Sequence, residues 1–135
     1  MFFLSKMKSV VICGSRRFKK EIRAFEKKLI KVGVVVFSPY LHEGKDEWNK
    51  LSLQYKKFVA LGLTHDHFYK IKMADIVFVY NKNGYSGVST TLEIGSAVAF
   101  GKPIYAFSDK DEELCRLTLF REIIKTPEEL INKLK

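Results

Sequence analysis

The sequence predicts an α/β protein with a single-domain, doubly wound sheet of the flavodoxin or Rossmann-like type, with about five mostly parallel strands and helices on both faces. Short continuous apolar runs alternate with amphipathic segments, a pattern typical of βαβ units whose strands are buried on both sides. The length of 135 residues suits one domain, spanning 1–135. A hydrophobic content of 47% excludes a disordered chain.

The strands are predicted from apolar runs that end at turn-forming residues such as Gly14 and Pro39. In chain order they are 9–13, 34–37, 76–80, 103–107 and 120–124. The helices are predicted where apolar residues recur every three or four positions. They are 18–31, 51–74, 90–100 and a last helix that begins at Thr126. The helix 51–74 can break at Gly62. The polar stretch 41–50 is predicted as a loop at the edge of the sheet.

The chain is basic, with 24 Lys and Arg against 15 Asp and Glu, a formal net charge of +9. Such a charge suggests an anionic partner, for which phosphate is the first candidate, although a solvated helix face also accounts for the lysines in 18–31. No RRM-type basic and aromatic signature is present, so a small phosphorylated ligand is favoured over nucleic acid.

Two cysteines, Cys13 and Cys115, do not make a disulfide framework and fit a reducing compartment. No apolar run approaches the about 18 residues of a membrane span, so no membrane partner is expected. The opening residues 1–6 are too short for a signal sequence. These features predict a cytoplasmic protein.

Parallel sheets bind ligands beyond the carboxyl ends of their strands, so the loops there are the candidate site. Gly14, Ser15 and Arg16 follow the first strand and open a helix, where backbone N–H groups, a hydroxyl and a guanidinium suit a phosphate or ribose. An ordinary strand–helix turn is the alternative. Neither GxGxxG nor GxxxxGK[ST] is present.

The glycine-bearing loop after the third strand is the second candidate. Ser86, Ser89 and Thr90 place hydroxyls where the next helix presents free N–H groups, and Gly87 lets a ligand approach the backbone. Glu93 follows in the first turn of the predicted helix. Its carboxylate can serve as a nucleophile or stabilise an oxocarbenium-like centre, or it can form a capping box with Thr90.

A polar segment, 64–67, precedes the third strand and contains His65, Asp66 and His67. Asp66 or His67 can act as a general acid–base, or the segment can be a solvated turn. Two histidines two positions apart do not converge on one helix face, so no metal site is predicted. Tyr40 and Trp48 can stack on a base, or can simply pack in the core or lie exposed.

Three segments together resemble the nucleoside 2-deoxyribosyltransferase-like family, which includes the 2′-deoxynucleoside 5′-monophosphate N-hydrolases. They are VICGS at 11–15, IKMADIV at 71–77, and the stretch from Gly87 through EIGSA at 93–97 to GKPI at 101–104. The resemblance covers most of the chain from 8 to 107.

The resemblance implies that Glu93 attacks the anomeric carbon of a nucleotide or nucleoside and forms a covalent glycosyl-enzyme. It also implies no metal or organic cofactor and a homodimer or higher oligomer, in which 40–48 of a partner chain can complete the site. The family's catalytic aspartate falls in register with His67, one position from Asp66. The residues that it assigns to the sugar, its 5′ end and the site wall are Gly14, Ser15, Ser86, Gly87, Ser89 and Thr90.

The sequence therefore predicts cleavage or transfer at an N-glycosidic bond, with Glu93 as the nucleophile and Arg16, Ser86 and Ser89 holding a phosphate. A non-catalytic nucleotide-binding module of the same fold is the alternative. An RNA-binding domain that uses its lysines is a third class, for which strongly salt-dependent binding of oligonucleotides is expected.

Overall fold

The strands predicted from the apolar runs pair into one five-stranded sheet in the computed structural model, which describes residues 6–41 and 45–135. Every neighbouring pair is parallel, and the order is β2-β1-β3-β4-β5. The strands are β1 Val10–Gly14, β2 Val36–Phe37, β3 Ile76–Tyr80, β4 Ile104–Ala106 and β5 Glu122–Ile123. The predicted fold class is confirmed, and the flavodoxin-like strand order puts the topological switch point between β1 and β3.

Six α-helices connect and cover the strands in the described part of the chain. They are α1 Lys19–Lys31, α2 Lys45–Lys50, α3 Leu53–Met73, α4 Val88–Ala99, α5 Leu114–Leu117 and α6 Pro127–Leu134. Short 3₁₀ turns lie at Arg16–Phe18 and Lys82–Gly84. The start of α6 follows its sequence signal, because Thr126 caps the helix by accepting the Glu129 N–H and Pro127 occupies the first helical position.

The sheet is buried on both faces by two separate sets of helices. Successive residues of a strand point to opposite faces, so Ile12 packs in the cluster that contains α1 and α6. Val11 and Cys13 pack in the other cluster, under Ile71 of α3 and Ile94 of α4. All five residues of β3 are buried, as its unbroken apolar sequence requires. The face under α3 and α4 is the one that carries the candidate site.

Five details of the predicted elements are wrong. Residues 45–50 are helical rather than a loop, since Asp46 and Glu47 at the start and Lys50 at the end complement the helix dipole; 42–44 lie outside the described residues. Gly62 does not break α3, because a glycine costs only about 1 kcal/mol in a helix interior. The second and fifth strands are each reduced to two residues, because only those residues pair with a neighbouring strand, and α5 was not predicted.

Candidate active site

A cavity of about 390 Å³ opens at the carboxyl end of β1, at the predicted switch point. Loops after β1 and β3 form one part of its wall, and α3 and α4 form another. Nine of the ten site residues predicted from the sequence line it: Gly14, Ser15, Arg16, Asp66, His67, Gly87, Ser89, Thr90 and Glu93. The tenth, Ser86, is buried but does not line the cavity.

Glu93 and His67 meet in the wall of this cavity. The imidazole Nε2 of His67 lies 3.0 Å from Oε2 of Glu93, and their side chains are only 8% and 14% exposed. Oε2 is buried and accepts no well-directed hydrogen bond from the described residues, so the contact with His67 is a close approach rather than an aligned hydrogen bond. A carboxylate in this setting has an open acceptor beside the cavity.

Cys13 lies behind His67 and Glu93, does not itself line the cavity, and was not among the site residues predicted. Its Sγ lies 3.4 Å from Nε2 of His67, and the residue is fully buried. Burial raises the pKa of the Cys13 thiol well above its usual value, and the neighbouring carboxylate of Glu93 raises it further. The thiol is therefore protonated at neutral pH. Its position at the carboxyl end of β1 is the sequence signal that could have included it.

The position of Glu93 follows from the start of α4. Gly87 is the N-cap residue, so the helix begins at Val88 and Glu93 lies in its second turn. The predicted capping box with Thr90 is wrong, because Thr90 lies inside the helix and is buried. Ile94 is also buried against the sheet, and its packing fixes the rotation of α4 that keeps Glu93 in the cavity wall.

His67 faces inward because of its position on α3. His67 and Ile71 are four residues apart, and they are the two buried residues of this helix. Asp66 lies one position earlier and therefore projects at a different angle, where its carboxylate pairs with Lys70 at 2.8 Å and stays 53% exposed. His65 is also exposed and contacts the ring of Phe68. The prediction of a solvated turn at 64–67 is wrong, since these residues are helical.

The phosphate-type donors predicted from the sequence, apart from Ser86, lie in the cavity wall. No side chain caps the N-terminus of α4, whose first residues Val88, Ser89 and Thr90 all line the cavity. Ser15 caps the 3₁₀ turn after β1, with its Oγ accepting the N–H of Arg17. The Arg17 guanidinium lies 3.4 Å above the ring of Tyr85, so it is engaged away from the cavity that Arg16 lines.

The rest of the cavity is less polar. Tyr40 and Trp48, predicted as candidate stacking residues, both line it, and Leu63 and Phe68 of α3 lie in the same wall. The cavity therefore combines an aromatic and apolar part, a donor-rich part and a carboxylate. This arrangement suits a ligand with a flat base, a sugar and an anionic group.

Polar side chains also anchor the loops behind the site. Asn81 exchanges two hydrogen bonds with the backbone of Ser108, at 2.8 and 3.0 Å. Arg116 binds the buried carboxylate of Asp111 through two nitrogens and donates to the hydroxyl of Thr91 on α4.

None of the helices in the described part of the chain has the length and apolar character of a membrane span.

Solved structures of three proteins share this architecture. A 2-deoxyribosyltransferase from Bacillus psychrosaccharolyticus is 23% identical, with a TM-score of 0.63 over 92% of this chain and 90% of that one. A conserved protein from Enterococcus faecalis V583 is 14% identical, with a TM-score of 0.65 over 96% and 98%. The CMP N-glycosidase BcmB of Clostridium botulinum is 20% identical, with a TM-score of 0.52 over 94% and 98%.

No family model matches the sequence, and no curated protein does. The structural matches nevertheless extend over nearly the whole of both chains in each comparison. The chain therefore has the nucleoside deoxyribosyltransferase fold, which confirms the fold that the sequence resemblance implied.

Proposed function

We propose that this protein cleaves or transfers at the N-glycosidic bond of a nucleotide or nucleoside, with Glu93 as the nucleophile. The observation that carries the proposal is the position of Glu93: its carboxylate lies in the wall of the cavity, 3.0 Å from an imidazole and largely shielded from solvent. Two of the structures with the same fold are described as a 2-deoxyribosyltransferase and a CMP N-glycosidase.

The proposed reaction is a double displacement. A Glu93 oxygen attacks the anomeric carbon, the bond from that carbon to the base nitrogen breaks, and its electron pair leaves with the base. Proton transfer to the base makes it a neutral leaving group. In the second step water, or the nitrogen of another base, attacks the same carbon and returns the carboxylate of Glu93. A proton is released from the attacking group at this stage.

His67 is the acid–base residue that the contacts favour over Asp66. Protonated His67 beside Glu93 can give a proton to the departing base, and the neutral imidazole can then take one from the attacking water. Asp66 also lines the cavity, but its carboxylate is paired with Lys70 at 2.8 Å and is more than half exposed. We therefore assign proton transfer to His67 and a place at the cavity rim to Asp66.

The donor-rich part of the cavity favours a 5′-monophosphate over a free nucleoside. The uncapped N-terminus of α4, the hydroxyl of Ser89 and the side chain of Arg16 all supply partners for a phosphate. The net charge of +9 acts in the same direction by attracting anions. In this orientation the base lies toward Tyr40 and Trp48.

The exposed face of α3 favours a homo-oligomer. This helix has 21 residues, of which two are buried, yet many of its exposed side chains are large and apolar. They are Leu53, Tyr55, Phe58, Leu61, Tyr69 and Met73, each more than half exposed. Apolar surface of this kind is typical of a subunit interface. A strictly monomeric protein at micromolar concentration, measured by light scattering, would contradict this part of the proposal.

The test is chromatographic detection of free base. Wild-type protein and the Glu93→Gln variant are incubated with a panel of ribo- and deoxyribonucleotides and nucleosides. We expect release by the wild type and a loss of at least about 100-fold in the variant, with substrate affinity retained, because the amide keeps the shape of the side chain but is not a nucleophile. Asp66→Asn is the matched control and should keep most of the activity.

A non-catalytic nucleotide-binding module is the second candidate. The position that the family resemblance assigns to an aspartate holds His67, and this imidazole contacts Glu93 directly. A protein of this class would bind a nucleotide, seen as a thermal shift, without releasing base from any member of the panel. Glu93→Gln would then change binding alone.

A further inference from the structure

Three side chains of different chemistry converge beside the cavity, and two of them line it. A thiol, an imidazole and a carboxylate from β1, α3 and α4 place one potential ligand atom each within 4.8 Å of one another. They are Cys13, His67 and Glu93. These are the ligand types that Zn²⁺ prefers, and they come from three separate elements rather than from one polar loop.

One distance in this cluster falls within the range between the ligands of a tetrahedral zinc ion, and a second is slightly shorter. Bond lengths of about 2.0–2.3 Å at tetrahedral angles place neighbouring ligand atoms about 3.3–3.6 Å apart. The observed separations are 3.0 Å from His67 Nε2 to Glu93 Oε2 and 3.4 Å from the same nitrogen to Cys13 Sγ. Small side-chain movements are enough to admit the ion.

Charge and hydrogen bonding also favour a cation here. Oε2 of Glu93 is buried and lacks a well-directed hydrogen bond from the described residues, so a strong acceptor remains open. A thiolate and a carboxylate together neutralise a divalent ion, which removes the cost of a net buried charge. His67 and Glu93 line the cavity, so the ion has an entry path from it.

We propose that Cys13, His67 and Glu93 form a zinc-binding site whose occupation blocks the cavity. Binding replaces the proton of the Cys13 thiol by Zn²⁺ and releases that proton to solvent. The bound ion engages the carboxylate of Glu93, so it is inhibitory rather than catalytic. Metal binding itself stands on the geometry of the cluster, and the inhibition rests on the proposed function of Glu93.

The experiment is a zinc titration in competition with a chromophoric chelator, on full-length protein without a histidine tag. Wild type and Cys115→Ser, which changes the exposed cysteine, should each bind one Zn²⁺ per chain. Cys13→Ala should bind at least about 100-fold more weakly, because loss of a direct ligand costs no less than the 10–100-fold typical of outer-shell partners. Glu93→Gln provides a second test if Cys13→Ala does not fold.

Cobalt supplies an independent signature. Co²⁺ in this site should show a thiolate charge-transfer band in wild type and in Cys115→Ser but not in Cys13→Ala. Stoichiometric zinc binding that is lost with Cys13 supports the proposal. Absent binding in wild type, or equal affinity in wild type and Cys13→Ala, overturns it.

The base-release assay separates the two proposals. Base release by metal-free protein that does not bind zinc would overturn the zinc site and leave the proposed function standing. Zinc binding at Cys13 without base release from the metal-free protein would leave the site standing and count against the proposed function. Release that falls in proportion to zinc occupancy, and returns when a chelator is added, supports both.

Discussion

Gly84 offers a sharp test of how the loop between β3 and α4 is built. Its φ is +77°, a left-handed conformation, and its N–H donates to the carbonyl of Asn81. A Cβ added at Gly84 would lie 2.7 Å from the backbone nitrogen of Asp111 and closer still to the carbonyl of Lys110. These neighbours are backbone atoms, so they cannot move aside as a flexible side chain would.

Gly101 is the matched control, because its φ of +68° is similar but nothing lies within 4 Å of the added Cβ. Gly101→Ala should cost about 1–2 kcal/mol, the penalty of a left-handed residue. Gly84→Ala should cost that amount plus about 1–3 kcal/mol for overpacking, or about 2–5 kcal/mol in total. An unfolding entropy of about 2.1 cal/mol/K per residue converts 1 kcal/mol into about 3.5 °C for a chain of this length.

Thermal unfolding followed by circular dichroism therefore distinguishes the two positions. We expect Tm to fall by about 4–7 °C in Gly101→Ala, and by about 4–11 °C more than that in Gly84→Ala. Equal losses in the two variants would refute the packing argument and leave only the backbone conformation. A Gly84→Ala protein as stable as the wild type would refute both the overpacking penalty and the penalty for a left-handed backbone.

Two further outcomes follow from the buried ionisable groups. Cys13 is buried with a raised pKa and Cys115 is exposed. Iodoacetamide should therefore label only Cys115 in the native protein and both cysteines after unfolding, as detected by mass spectrometry. Fast labelling of Cys13 in the native protein would contradict its burial. Burial alone would raise the pKa of Asp111, but hydrogen bonds from Arg116 and the Glu113 N–H, with the Arg116 charge, lower it. This stabilisation is present above the unfolded pKa of about 3.9 and is lost as pH falls through the folded pKa. In urea unfolding, the free energy of unfolding of Asp111→Asn should be about 3 kcal/mol below that of the wild type at neutral pH, and the difference should be smaller at acid pH. The exposed Asp109→Asn is the control, and a pH-independent difference for Asp111→Asn would contradict the charge pairing.

Much of the fold could be predicted because its signals are local. Apolar runs ended by turn residues locate all five strands, and the capping sequence at Thr126 and Pro127 locates the start of α6. The same logic placed the candidate site, since parallel strands meet at one edge and their loops share it. Where the prediction of α2 failed, the helix has only six residues and no buried side chain, so no periodic apolar pattern marks it.

The sequence by itself determined the alternation of strands and helices and put Glu93 near the start of a helix beside a glycine-bearing loop. Only the tertiary structure decided which side chains lie beside Glu93. Cys13 and His67 are 54 positions apart and meet through the strand order and the packing of α3. The rotation of α3 also decided that His67, and not Asp66, faces Glu93: Ile71 is drawn into the core, and the residue one turn earlier goes with it. Contacts of this kind depend on where hydrophobic burial places whole elements, which no local pattern encodes.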